Sequence, residues 1–236
     1  MRYLLGLLLS LSIAEAKPVK IAVIDSGIDS RYNSYLPLCP SGHKSFVNSL
    51  WSEDDFKHGT NIALTIQNYI GKAPNYCFLI IKVISKNDNK YNYLPDAIEY
   101  AVQEKASVIN ISLSGLESYD EEKMAIQHAL NNNIVVFVAA GNDYKDLNKD
   151  CSVYPACYKF TKNQKGFGVI GNYKSPGVKH PSSNHGSVVN LWEIGTNITT
   201  YDITMTGTSQ ATAVATGKLV RRYLMQLKPK KDDYEN

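Results

Sequence analysis

Four short apolar runs, at residues 20–24, 76–84, 108–113 and 134–139, constrain the fold of this chain more than any other feature. Runs that do not alternate with polar residues are typical of parallel strands covered on both faces. Segments of helical spacing lie between them. From Thr60 the apolar positions Ile62, Ala63, Ile66, Tyr69 and Ile70 share one helical face, and Ile98, Ala101 and Val102 do the same within residues 94–105. Ser118 followed by Glu121 is a capping-box signal for a helix reaching about residue 132. The alternation predicts an α/β, three-layer fold, a mostly parallel central sheet with helices on both faces and right-handed crossovers. Residues 31–55 are turn-rich, with one short strand expected at 45–47. Further short strands are expected at 168–171 and 186–192.

Reacting groups in such sheets gather beyond the carboxyl ends of the strands. Asp25 ends the first run there, and Asn142 follows the fourth. Gly207-Thr208-Ser209-Gln210-Ala211-Thr212-Ala213 reads as a tight turn that delivers Ser209 to the start of a helix continuing through Leu224. A helix N-terminus offers free N–H groups and positive potential to a developing negative charge. A serine there becomes nucleophilic only with a base beside it and a third group to orient that base. His58, at the entry to the helix that continues from Thr60, is the candidate base. Asp25 is the candidate third group, and Asp29 is the competing carboxylate. The chain order Asp, His, Ser differs from that of the α/β-hydrolases, no Gly-x-Ser-x-Gly elbow is present, and no Gly-x-Gly-x-x-Gly follows the first strand. His43, His128, His180 and His185 have no comparable context and read as structural or surface residues.

Four motifs in this order resemble those of the subtilisin-like serine peptidases, or subtilases. They are Asp25-Ser26-Gly27, His58-Gly59-Thr60, Ala139-Ala140-Gly141-Asn142 and Gly207-Thr208-Ser209. The resemblance implies a serine endopeptidase with Asp25, His58 and Ser209 as its triad and Asn142 as oxyanion-hole donor. A catalytically weak or inactive binding protein on the same fold is the alternative. It also implies a polypeptide substrate lying extended along Ser112, Leu113, Ser114 and Gly115, with Ala139, Ala140 and Gly141 completing the wall of the pocket before the cut. Ser114 stands where the family usually has glycine. Gln210 replaces its commonest methionine, Ala213 a proline and Val214 a histidine, while Asn61 and Leu64 replace a histidine and a glycine. The chain is short for the family and carries no evident propeptide between its first residues and the first strand; either it folds unaided, helped by disulfides, or a separate folding helper or inhibitor protein takes the propeptide's place, or activity has decayed while the motifs survive. No cofactor is required for the chemistry. Structural calcium is common in the family, but no carboxylate cluster can be assigned to it; Asp54, Asp55, Asp143 and Asp146 read equally as solvated loop charges.

Arg2 precedes an apolar run from Leu4 to Ile13 that ends in Ala14-Glu15-Ala16, the pattern of a secretory signal peptide cleaved after Ala16. The expected organisation is a signal peptide at 1–16, a peptidase domain at 17–227 and a charged, disordered tail at 228–236, in an exported protein that is extracellular or periplasmic. Four cysteines in an exported chain point to disulfides. Cys151 and Cys157 flank a short loop and Cys39 with Cys77 would form the second pair; separately buried thiols are the alternative, and no Cys/His spacing favours zinc. The net charge of +3 is spread along the chain, which points away from nucleic acid as a partner. A monomer without membrane contact after signal cleavage is expected.

Overall fold

The computed structural model describes residues 17–88, 93–161 and 165–226. The signal peptide expected at 1–16 and the tail expected at 228–236 lie outside the described residues.

The apolar runs form β1 (Val19–Asp25), β3 (Tyr76–Lys82), β4 (Val108–Ile111) and β5 (Val135–Ala139). The other strands are β2 (Lys44–Ser45), β6 (Phe167–Ser175), β7 (Val178–Lys179) and β8 (Leu191–Ile194). They make one sheet in the order β2-β3-β1-β4-β5-β6-β7, with β8 also beside β6. All its pairings are parallel except β6 with β7. The helices are α1 (His58–Ile70), α2 (Leu94–Gln103), α3 (Asp120–Asn131) and α4 (Thr208–Gln226). Ala22 and Ile24 of β1 pack with Ile98 of α2 and Ile126 of α3 on one face, while Ile21 and Val23 pack with Ile62 of α1 and Val220 of α4 on the other. Burial on both faces is the reason the strands are apolar without alternation. α1 and α4 approach closely at Gly217, where a Cβ would stand 2.6 Å from the Ile66 carbonyl oxygen and 2.6 Å from Tyr69 Cβ.

Several local expectations are corrected. The capping box does not form: α3 begins at Asp120 after Tyr119, which makes no side-chain cap. Tyr119 is held instead by Tyr158, whose hydroxyl accepts the Tyr119 N–H at 3.0 Å and donates to the Tyr119 carbonyl oxygen at 2.9 Å. The strand expected at 186–192 starts only at Leu191, because Asn148 Oδ1 accepts from both the N–H and the hydroxyl of Ser187 at 2.8 Å and holds a turn there. The turn-rich 31–55 region contains a 3-10 turn at Ser30–Tyr35 with Asp29 as its cap, and its short strand is Lys44–Ser45. An antiparallel hairpin of β9 (Ile198–Thr200) and β10 (Ile203–Met205) had no clear periodicity to announce it. The disulfides Cys39–Cys77 and Cys151–Cys157 are both formed.

Candidate active site

β1 ends on Asp25, and Gly27 turns the chain away with φ +98°. Gly59 packs so tightly on this turn that a Cβ would collide with the Gly27 carbonyl oxygen. That contact brings the first residue of α1, His58, against the end of β1, and His58 Nδ1 lies 2.7 Å from Asp25 Oδ1. The imidazole is 24% exposed and the carboxylate 1%. A carboxylate can only accept, so Nδ1 carries the proton and Nε2 keeps its lone pair. Burial alone pulls the imidazole's pKa down; the charge and hydrogen bond of Asp25, with the charge of Asp54 behind them, outweigh burial and hold it above its ordinary value. Asp29 is excluded as the partner, since it chelates Arg31 through Oδ1 and Oδ2 and its pKa is lowered chiefly by that hydrogen bond.

Asp54 is a correction. It is 9% exposed rather than a solvated loop charge. Its Oδ1 accepts from the Ser26 hydroxyl at 2.7 Å, and its Oδ2 accepts from the Thr60 N–H at 2.8 Å and the Thr60 hydroxyl at 2.6 Å. The Ser26 hydroxyl in turn accepts from the Gly59 N–H at 2.9 Å. Asp54 thereby ties the turn after β1 to the first turn of α1, and burial raises its own pKa. Its signal was present in Asp54 and Thr60, a carboxylate and a hydroxyl about one and a half turns apart at a helix start.

Ser209 lies in the first turn of α4 and is 8% exposed. Its hydroxyl donates to the Ser112 carbonyl oxygen at 3.0 Å, and the Ser112 hydroxyl donates to the Ser209 carbonyl oxygen at 3.1 Å. This reciprocal pair docks α4 onto the end of β4. Asn110 Nδ2 donates to the Ser112 hydroxyl at 3.0 Å and Thr216 donates to Asn110 Oδ1 at 2.9 Å, which extends the seam along the helix. Asn142 sits on the turn after β5, its Oδ1 accepting the Thr208 N–H at 2.9 Å; its amino group is the end left to donate. Asn184, fully buried, braces the same turn: Nδ2 donates to the Ala140 carbonyl, and Oδ1 accepts from the Asp143 and Lys145 N–H groups, each at 2.9 Å. Sequence reasoning missed Asn110, Asn184 and Thr216; polar residues inside apolar runs, as in Val-Ile-Asn-Ile-Ser, were the available signal for the first.

Ser112 and Leu113 are buried, and Ser114 and Gly115 are half-buried. The Gly115 N–H and carbonyl are both taken by the Tyr154 backbone, at 2.8 and 2.9 Å, and the Ser112 carbonyl holds the Ser209 hydroxyl. Ala139, Ala140 and Gly141 line the adjacent β5 turn. Of the remaining histidines, His43 stacks on Trp51 and bridges the Cys39 carbonyl and the Ile80 N–H, while His128 pairs with Glu99 on the surface. Among the described residues no group of three or more His, Cys, Asp or Glu is arranged to hold a metal ion.

A family model described as the subtilase family matches residues 16–232. Subtilisin of Bacillus pumilus is 33% identical over 189 residues, covering 76% of this chain and 66% of its own length. Subtilisin E of Bacillus subtilis (strain 168) is likewise 33% identical over 189 residues, 76% of this chain and 47% of its own length. The chain therefore spans between about half and two thirds of the curated relatives it matches. The crystal structure of a cold adapted subtilisin-like serine proteinase superposes with a TM-score of 0.69 at 27% identity, over 89% of this chain and 77% of that one. A lanthipeptide protease shares the fold with a TM-score of 0.75 at 20% identity, over 90% of this chain and 76% of that one.

Proposed function

The chain belongs to the subtilase family, and from that premise we propose that it is a serine endopeptidase acting through an acyl-enzyme. The observation that carries this reading is the His58–Asp25 hydrogen bond of 2.7 Å at the start of α1, in a protein whose α4 carries Ser209 in its first turn beside an anchored Asn142. Turning about its Cα–Cβ bond releases Ser209 from the Ser112 carbonyl and offers its proton to His58 Nε2. Oγ then attacks the peptide carbonyl carbon as Nε2 takes the proton. Asp25 holds the Nδ1 proton throughout and stabilises the imidazolium. The Asn142 amino group and the Ser209 N–H receive the developing oxyanion, with the N-terminus of α4 adding positive potential. His58 passes its proton to the departing amine, and water hydrolyses the acyl-enzyme by the same route. The substrate is a polypeptide in extended form, paired along Ser112 to Ser114. Export is supported by the pattern of residues 1–16 and by two disulfides, which persist in oxidising compartments.

One observation favours a second reading, a binding protein of little turnover: the Ser209 hydroxyl is engaged by Ser112 rather than by His58. Catalytic hydrogen bonds commonly tighten only with substrate present, so the enzyme reading stands ahead. Intact-mass spectrometry with a fluorophosphonate, on wild type and Ser209→Ala, decides between them. One adduct on wild type and none on the variant is expected. No adduct on folded wild type would overturn the enzyme reading.

A further inference from the structure

Directly behind the nucleophile lies a line of buried amides that takes no part in the steps above. Gln210, the residue after Ser209, is 2% exposed, and its Nε2 donates to Asn61 Oδ1 at 3.0 Å. Asn61 is fully buried one turn beyond His58, and its Nδ2 donates to Thr200 Oγ1 at 2.9 Å and to the Ile203 carbonyl oxygen at 3.4 Å. The donor directions are forced. A carbonyl cannot donate, so Ile203 requires the amino end of Asn61, which leaves Asn61 Oδ1 to face Gln210 and Gln210 to present its own amino end. Gln210 Oε1 is thereby turned toward Gly207, where it and Asn142 Nδ2 each lie 3.3 Å from the place a Cβ would occupy.

We propose that the Gln210–Asn61 pair is a positioning device that fixes the offset between the helix carrying His58 and the helix carrying Ser209. The inference rests on the endopeptidase reading. Each member of the pair lies within one turn of a reacting group, on α4 and α1 respectively, so a slide of one helix past the other stretches this bond as it separates Nε2 of His58 from Oγ of Ser209. The rest of the α1–α4 contact is drawn close at Gly217 and filled by side chains such as Ile62, Ile66 and Val220. Apolar packing resists separation but has little directional preference, whereas a hydrogen bond weakens steeply with misalignment. Asn61 also grips the β9–β10 hairpin, and Met205 at the end of that hairpin has its Sδ 3.7 Å from Gln210 Nε2. The same two amides therefore set the path of the chain into Gly207 and Thr208.

The alternative is that the pair only satisfies buried polarity. The two roles separate in a set of full-length variants: Asn61→Leu, Gln210→Met and the double. Gln210→Met strands Asn61 Oδ1, and Asn61→Leu strands Gln210 Nε2 and also removes the donor to Thr200 and Ile203, so both should melt lower than wild type, while the double strands neither amide and should recover the part of the loss that comes from them. The rate should behave differently. At a temperature where circular dichroism shows every variant folded, the maximal rate of Ser209 modification at saturating fluorophosphonate should fall on the order of ten- to a hundred-fold in the singles. It should stay low in the double, with the half-saturating probe concentration little changed. Should a single variant fail to fold, the double carries the test alone. A double variant that reacts at the wild-type rate would overturn this inference and leave the endopeptidase reading intact. No reaction of wild type would overturn both.

Discussion

Glu122→Gln should stabilise this protein, by an amount that grows with pH. Glu122 lies in the first turn of α3, is 5% exposed, and its Oε1 is a buried oxygen with no hydrogen-bond partner. Burial raises its pKa from 4.5 to about 7, with the Tyr158 hydroxyl offsetting part of the effect. The same burial, with the Glu122 charge contributing, pushes Tyr158 up to about 12. Between pH 4.5 and about 7 the unfolded chain has lost the Glu122 proton while the folded one keeps it. Folding therefore takes up a proton in that window, and stability falls as pH rises through it, levelling off above. At about 1.4 kcal/mol per pH unit, the rise from 4.5 to about 7 corresponds to about 3 kcal/mol. Glutamine resembles the protonated acid and does not ionise. In a domain of this size about 3 kcal/mol moves the melting temperature by about 10 °C. Calorimetry of wild type and Glu122→Gln at pH 5 and pH 8 should give nearly equal melting temperatures at the lower pH and a variant about 10 °C higher at the upper one. A difference that is the same at both pH values would refute the reasoning, because it would mean that the carboxyl does not change protonation between them.

Asp54→Asn should cost about 3 kcal/mol, since one carboxamide oxygen cannot serve the donors of Ser26 and Thr60 together. It should also move the acid limb of the pH–rate profile to lower pH, because a negative charge that holds the His58 pKa up is removed; a melting curve and a kcat/KM profile check the two effects. Asn142→Ala should lower kcat by about 10²–10³ with KM nearly unchanged, the pattern of a donor used in the transition state. Removing the Cys39–Cys77 bridge, which spans 38 residues of sequence, should cost about 4 kcal/mol on a loop-entropy estimate, and removing Cys151–Cys157, which spans 6, only about 2; denaturant titration of the two paired-serine variants should preserve that ranking.

Of the site, Asp25, His58, Asn142 and Ser209 were legible because each occupies a local pattern: a strand end, a helix start, a glycine-rich turn. The hydrogen bonds that hold them were not. Asp54 looked like one of several loop acids, and only the approach of the turn after β1 to the start of α1 shows it to be buried and satisfied. Gln210 and Asn61 stood out only as unusual residues, each without a stated purpose, until the fold set them 3.0 Å apart across 149 residues of sequence. The capping box at Ser118 and Glu121 failed for a related reason, since Tyr158, far along the chain, holds both backbone groups of Tyr119 at the entry to α3.

Taken by itself, the amino-acid sequence determined the principal strands, the helices and the layering of the sheet, and it singled out the candidate residues of the site. Periodicity, uninterrupted apolar runs and turn chemistry are carried by neighbours in the chain and are complete within a short window. The tertiary structure decided the partners of the buried polar groups that bridge distant segments: Ser112 with Ser209, Asp54 with Ser26 and Thr60, Asn184 with the turn after β5, Glu122 left half-satisfied. A buried donor or acceptor is satisfied by whatever distant segment packing brings within about 3 Å, and no local window of sequence contains that distance.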